Sequence, residues 1–123
     1  MGDKLKTIKN NADGYLYADF KIEQLFNWTF DSDYIVQTGY MTVFKISNRL
    51  AIVSLNFQLK TALNANVKLI SGLPRCKTSR FLTNVVGSGN NVGKLFLDNQ
   101  GNLCSDGSMD ATWYNGIIIY PID

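Results

Sequence analysis

The clearest pattern of hydrophobic and polar positions lies in the segment LAIVSLNFQLK, residues 50–60. Ala51, Val53, Leu55, Phe57 and Leu59 alternate there with mostly polar residues over ten positions. A period of two is typical of a β-strand that buries one face and exposes the other. The segment therefore predicts a long strand. MTVFKIS before it predicts another, joined to the first by the short polar turn Asn48-Arg49.

Further strands are predicted at regular spacing along the rest of the chain, in the segments NVKLI, RFLTNVV, GKLFLD, NLCS and TWYNGIIIY. The breaks between them, SGLP, GSGNN, DNQG and SDGSMD, consist of residues that favour turns. Many short strands with polar turns and no helical period favour an all-β domain. We predict an antiparallel β-sandwich or jelly-roll-like barrel over residues 37–123.

The first 36 residues lack this alternation and predict a linker or shaft-proximal segment that leads into the sandwich. Within it, DGYLYADFKIEQLFNW is compatible with a short helix or with an irregular extended arm, because its apolar residues keep no clear face.

Three successive isoleucines, Ile117–Ile119, interrupt the alternation in the last predicted strand. They cannot all face one core, since neighbouring side chains of a strand point to opposite sides. Either a neighbouring subunit covers one face of this strand, or the strand is buried on both faces within its own chain.

Composition and charge narrow the class of protein. The 123 residues are one domain's length, and the fractions of 46% hydrophobic and 18% charged residues are ordinary for a globular protein. No apolar run is long enough for a transmembrane helix, and the N-terminal region lacks the apolar core of a signal peptide. We expect no membrane insertion. The net charge of +2 is small for a nucleic-acid binder, although every charged residue between Tyr34 and Leu97 is basic.

The glycine-rich stretch GSGNNVGKLFLDNQG, residues 87–101, invites comparison with phosphate-binding loops. A Walker loop needs a glycine five positions before Gly93-Lys94 and a hydroxyl residue after the lysine, but Ser88 and Leu95 stand there. A dinucleotide-binding loop needs a third glycine where Val92 stands. Both loops open a helix, whereas KLFLD predicts a strand, so we predict two turns flanking a strand.

Catalytic and metal-binding patterns are weak. The chain has no histidine, which removes the commonest general base and a frequent metal ligand. Cys76 and Cys104 match no redox spacing, and isolated thiols are expected rather than a disulfide. The pairs Asp31/Asp33 and Asp106/Asp110 lie in turn-like segments, and SDGSMD offers oxygen ligands for calcium without an EF-hand pattern. We expect no enzyme activity, no cofactor and no metal.

Aromatic and amide residues give a more specific hypothesis. Trp113, Tyr114 and Asn115 adjoin one another, and saccharide sites combine aromatic rings that stack on sugar C–H faces with polar groups that bond hydroxyls. Core or interface packing is the competing interpretation of such rings. The predicted ligand-binding residues are Trp113, Tyr114, Asn115, Asn90, Asn91 and Arg80.

The order of motifs from about Tyr34 to Asp123 resembles the C-terminal receptor-binding domains of phage tail-fibre and baseplate proteins. The motifs are the strand pair VFKISNRLAIVSLNFQLK, the step SGLPRCKTS, the hairpin KLFLDNQGNL and the terminal strand TWYNGIIIYPID. The resemblance implies a trimer of β-sandwich or jelly-roll heads in the virion, made in the bacterial cytoplasm. It also implies that the protein adheres to a bacterial surface saccharide, works beside other fibre or baseplate proteins and needs no cofactor.

Two alternatives stay open. The chain is also compatible with a purely structural domain that trimerises and caps a fibre without binding a ligand. The other alternative is a domain of the tumour-necrosis-factor or C1q shape that makes protein contacts at the end of a bacterial surface filament.

Overall fold

The computed structural model describes residues 21–123, which form ten strands and one 3-10 turn. The strands are β1 (Ile22–Leu25), β2 (Thr29–Phe30), β3 (Ile35–Thr38), β4 (Thr42–Ile46), β5 (Leu50–Leu59), β6 (Lys68–Ser71), β7 (Arg80–Gly87), β8 (Val92–Asp98), β9 (Leu103–Ser105) and β10 (Trp113–Pro121). The 3-10 turn, Ser88–Asn90, joins β7 to β8. No α-helix occurs in the described part, and in particular none that could span a membrane.

All ten strands belong to one antiparallel sheet with the order β1-β4-β5-β10-β7-β8-β9-β6-β2. Strand β3 pairs with the second half of β5, beyond the part of β5 that β4 occupies. The sheet curls into a half-barrel around a single core, which confirms the predicted all-β antiparallel class.

Strands β10 and β7 pair over a short stretch only. Strand β10 pairs with β5 along its whole length but with β7 only at Tyr114 and Asn115. Glycine at two positions permits this close crossing. A Cβ on Gly87 would lie 2.6 Å from the Tyr114 ring, and one on Gly116 would lie 3.0 Å from a Val85 methyl carbon.

The core lies on the inner face of the curl, where the predicted alternation of β5 is confirmed. Ala51, Val53, Leu55, Phe57 and Leu59 are all buried. The matching inner residues of β10 are Tyr114, Ile118 and Tyr120, and both tyrosine hydroxyls donate to backbone carbonyls, of Asp110 and Pro74. The buried rings therefore keep hydrogen-bond partners.

The hairpin between β8 and β9 forms at the predicted step Asp98–Gly101. Asp98 Oδ1 accepts hydrogen bonds from the backbone amides of Gln100 and Asn102, each at 2.9 Å. Burial alone would raise the pKa of Asp98, but these bonds and one from the Asn102 side chain outweigh it and hold that pKa below its ordinary value. Gly101 adopts a φ of 84°, the left-handed conformation that favours glycine.

The predicted N-terminal segment, residues 1–36, overlaps the sheet. Residues 1–20 lie outside the described part, but β1 pairs with β4 and β2 pairs with β6, and the expected boundary after residue 36 falls inside β3. In the described part of DGYLYADFKIEQLFNW, residues Ile22–Leu25 form a regular strand paired with β4, whereas a short helix or an irregular extended arm was expected. Alternation gave no signal there because β1 is a short edge strand with mostly exposed residues.

Candidate functional site

The candidate site lies on the outer face of β5 and β10, where amide side chains stand opposite one another. Asn56 of β5 pairs with Asn115 of β10, and Gln58 pairs with Trp113 one step further along. On the other side of β5, Gln37 Nε2 donates to Gln58 Oε1 at 3.0 Å. Alternation places these polar residues outside because the intervening residues of both strands fill the core.

Tyr40 projects beside this row from the turn between β3 and β4. The Gly39 amide donates to the Asn56 carbonyl at 2.8 Å, which fixes the turn against β5. A Cβ on Gly39 would collide with Asn56 Oδ1, so a larger residue at this position would displace the Asn56 side chain. Tyr40 itself is 82% exposed, and its ring is therefore available to a ligand.

Together these elements form a groove of about 510 Å³, which we call the Tyr40 groove; its lining residues include Tyr40, Ser54, Asn56, Asn115 and Ile117. None of the lining side chains is charged. An exposed aromatic ring beside hydroxyl and amide groups suits a neutral polyhydroxylated ligand, because the ring stacks on C–H faces and the amides both donate and accept hydrogen bonds.

The structure places two of the three predicted β10 residues near this groove. Asn115 lines it, and Trp113 follows on the same outer face, half-buried and opposite Gln58. Tyr114 was also predicted as a ligand-binding residue, but its side chain is buried. It points into the core, where its ring packs against Phe57, with ring centroids 5.9 Å apart, and burial raises the pKa of its hydroxyl. Because adjacent residues of a strand point to opposite sides, Tyr114 cannot share the outer face with Trp113 and Asn115.

Asn90 and Asn91 lie in the link between β7 and β8, at the end of the sheet where Gly87 pairs with Tyr114. Asn90 is exposed with a φ of 69°. The Asn91 side chain donates to the Ser88 carbonyl at 2.9 Å, so one of its donors already serves the turn. Neither residue lines the Tyr40 groove.

Arg80 lies at the opposite end of β7, about 20 Å along the strand from Val86, which pairs with Asn115. Its guanidinium group pairs with Asp106 and sits 3.8 Å from the centroid of the Phe96 ring. These contacts give Arg80 a packing role, and the structure does not bring it together with the other predicted residues.

The glycine-rich stretch, the two cysteines and the acidic residues also have defined positions in the structure. Residues of GSGNN form the 3-10 turn, and strand β8 follows where a phosphate loop would open a helix. Both cysteines are buried and free, and burial raises the pKa of the Cys104 thiol. Within residues 21–123 no three acidic, cysteine or histidine side chains converge as a metal site would require.

The sequence prediction missed Tyr40, Ser54 and Asn56 as partners in one site. Alternation had already placed Ser54 and Asn56 on the polar face of β5. What it could not supply was the pairing of β5 with β10 and the turn that places Tyr40 beside them.

Comparison with known proteins does not assign the chain to a family. A scan against protein-family models found no match, and a search of curated proteins found no similar sequence.

Proposed function

We propose that this chain is the receptor-binding head of a phage tail-fibre or baseplate protein, which adheres non-covalently to a neutral saccharide on the bacterial surface. The observation that carries the proposal is the Tyr40 groove. It combines a ring that is 82% exposed with an uncharged lining of amide and hydroxyl groups. The motif order of residues 34–123 adds support, since it resembles that of phage receptor-binding heads.

The proposal includes a homotrimer of jelly-roll-like heads in the phage tail, with other fibre or baseplate proteins as partners. Open, shallow saccharide sites bind weakly one at a time. Three linked sites raise the avidity by a factor of about 10² to 10⁴ when the receptor presents several copies of the saccharide. Adhesion of this kind needs no catalytic group, cofactor, nucleic acid or membrane.

The second candidate function is a structural domain that trimerises and caps a fibre without a ligand. Exposed isoleucines on the outer face of β10 are compatible with it, because a trimer contact would cover them and would need no ligand. A head of the tumour-necrosis-factor or C1q shape that binds protein is a variant of this alternative.

The test is binding of the full chain to an array of neutral bacterial cell-wall saccharides, with Tyr40→Ala and Trp113→Ala as variants and Leu82→Ala as control. Leu82 is an exposed apolar residue of β7 outside the groove. Loss of one stacking ring should weaken single-site binding about 3- to 10-fold. The control should bind like the wild type.

If the wild type binds no saccharide on the array, or if Tyr40→Ala binds as well as the wild type, the saccharide proposal is wrong. The structural alternative would then be favoured. Circular dichroism of each variant shows whether a loss of binding reflects the groove or a loss of fold.

A further inference from the structure

Strands β1 and β2 follow one another in the chain, yet they occupy the two opposite ends of the sheet order. Within residues 21–123, β1 pairs with β4 alone and β2 pairs with β6 alone. The link between them, residues 26–28, can span at most about 14 Å, so the curl must bring the two ends of the sheet close together. Residues 21–30, which we call the strap, therefore cross the open side of the half-barrel.

Hydrogen bonds hold the strap at its two ends. At its start, the Ser47 amide donates to the Lys21 carbonyl at 2.7 Å, and the Lys21 amide donates to Ser47 Oγ at 3.0 Å. Just after the strap, the Asp31 amide donates to the Leu69 carbonyl at 2.9 Å. Ile35 follows in the core and is only 1% exposed. The chain is thus firmly held after the strap, and residues 31–34 are the place for a hinge.

Between these two ends the strap buries little of its own surface. Three of its side chains, those of Leu25, Trp28 and Phe30, pack against the core, and each of them is only half-buried. The other side chains of β1 and β2 are exposed. Strand β5, by contrast, buries five of its ten residues. Because buried apolar contact sets the local stability of a segment, the strap should be less stable than the central strands.

An open cavity of about 340 Å³ adjoins the strap. Leu25 and Asn27 line it from the strap, while Lys45, Leu73 and Ile122 line it from the rest of the domain. The part of the Leu25 side chain that faces this space has no packing partner there and loses the corresponding van der Waals contact. The cavity therefore lowers further the free energy that holds the strap in place.

Gly72, directly after β6, is the point where the link of the strap lies closest to the rest of the domain. A Cβ on Gly72 would lie 2.7 Å from the Asn27 carbonyl oxygen and 3.1 Å from the Trp28 Cα. Gly72 also has a φ of 81°, the left-handed conformation that favours glycine. Because the strap lies backbone to backbone on Gly72, a side chain at position 72 would push the strap away.

We propose that the strap is a conformational device that opens as one unit about a hinge at residues 31–34, while β3 to β10 stay folded. The four residues of β1 and the two of β2 are too few to hold independently, and the link on Gly72 joins them. Opening exposes the cavity and the core behind it. The proposal does not rest on saccharide binding, since the hinge precedes Tyr40 and the Gly39 amide keeps its bond to Asn56.

The test is native-state hydrogen exchange of the full chain, followed residue by residue by NMR. We expect the bonded amides of β1 and β2 to share one protection factor, about 100-fold or more below that of the β5 and β10 amides. The Ser47 amide should exchange with the strap, because its acceptor is the Lys21 carbonyl. Exchange of the strap only together with β5 and β10, or unequal protection of β1 and β2, would overturn the proposal.

Two glycine variants test the contact that holds the link. Gly72→Ala should speed exchange of the strap amides about 10-fold or more and leave β5 unchanged, because the new methyl group meets the strap backbone. Gly89→Ala is the matched control: Gly89 has a φ of 68°, but its Cβ would meet nothing within 4 Å. It should leave strap exchange as in the wild type.

Equal strap exchange in the two variants would contradict the role of Gly72 and overturn the proposal. If Gly72→Ala does not fold, Trp28→Ala replaces it, since this variant removes a half-buried ring of the strap without a clash. It should speed exchange of β1 and β2 together. Unchanged strap exchange in folded Trp28→Ala would likewise overturn the proposal.

Discussion

The two outer surfaces of the curled sheet differ in charge rather than in exposed apolar residues, since Leu82, Val86 and Val92 of β7 and β8 are as exposed as Ile117 and Ile119 of β10. On β7 and β8, Arg80 of the same chain lies over the Phe96 ring and pairs with Asp106, and Lys94 is exposed on β8. On β4, β5 and β10, the outward positions around Ile117 and Ile119 hold apolar, amide and hydroxyl side chains and no charged residue.

This difference makes the outer face of β4, β5 and β10 the better candidate for the trimer contact proposed above. Charge on β7 and β8 favours contact with water, and the cation over Phe96 covers apolar area that would otherwise be exposed. Depletion of charge with apolar residues at the centre and amides at the margin is typical of interfaces. The alternation that builds the core is the same in both halves, so only the outward residues carry this distinction.

The largest expected effect separates the two faces of β10. Ile118 is 2% exposed, and Ile118→Ala should lower the free energy of unfolding by about 2–4 kcal/mol, through lost apolar contact and a cavity. Ile119→Ala, one residue away, should change it by less than about 1 kcal/mol in dilute protein. Urea denaturation at low and high protein concentration measures both.

The cost of Ile119→Ala should grow with protein concentration, since association of the proposed trimer stabilises the folded chain by mass action. An equal cost for both variants at every concentration would contradict the distinction between the two faces of this strand.

A smaller effect is expected at the hairpin between β8 and β9. Asp98→Asn should lower the free energy of unfolding by about 1–3 kcal/mol at pH 7, because the carboxylate accepts bonds from two backbone amides and the Asn102 side chain. The folded pKa lies below the unfolded value of about 4. The stabilisation is therefore complete above pH 4 and is lost as pH falls through the folded pKa.

Urea denaturation of the wild type and Asp98→Asn between pH 3 and 7 tests this sign. The difference between the two proteins should shrink toward acid. A difference that grows as pH falls would show that the Asp98 carboxylate does not stabilise the turn.

The smallest expected effect comes from substituting Arg80, whose guanidinium group lies over the Phe96 ring. Arg80→Ala should lower the free energy of unfolding by about 1 kcal/mol, because it removes the cation above the ring and an exposed ion pair. Arg80→Lys retains the charge but lacks the planar guanidinium group, so its free energy of unfolding should lie between those of the wild type and Arg80→Ala. Saccharide binding should not change in either variant. A loss of binding would show that Arg80 belongs to the saccharide site, as the sequence predicted.

Alternation predicted β5, short apolar runs between turn residues predicted β4 and β6 to β10, and turn residues predicted the Asp98–Gly101 hairpin. These patterns missed β1 to β3, whose few residues are held by pairing with distant strands. The candidate site could be predicted only in part. Asn115 and Trp113 belong to one strand, but Tyr40 reaches them through a turn fixed on β5 by the Gly39 amide.

The most direct test of the contrast between the two outer surfaces is covalent footprinting of the full chain, with labelled residues identified by mass spectrometry. Ile117, Ile119 and Leu82 have similar exposure in a single chain, at 64%, 56% and 61%. We predict that in concentrated protein Ile117 and Ile119 are protected while Leu82 is labelled freely, and that dilution removes the protection. Equal labelling of all three residues at every concentration would contradict the account.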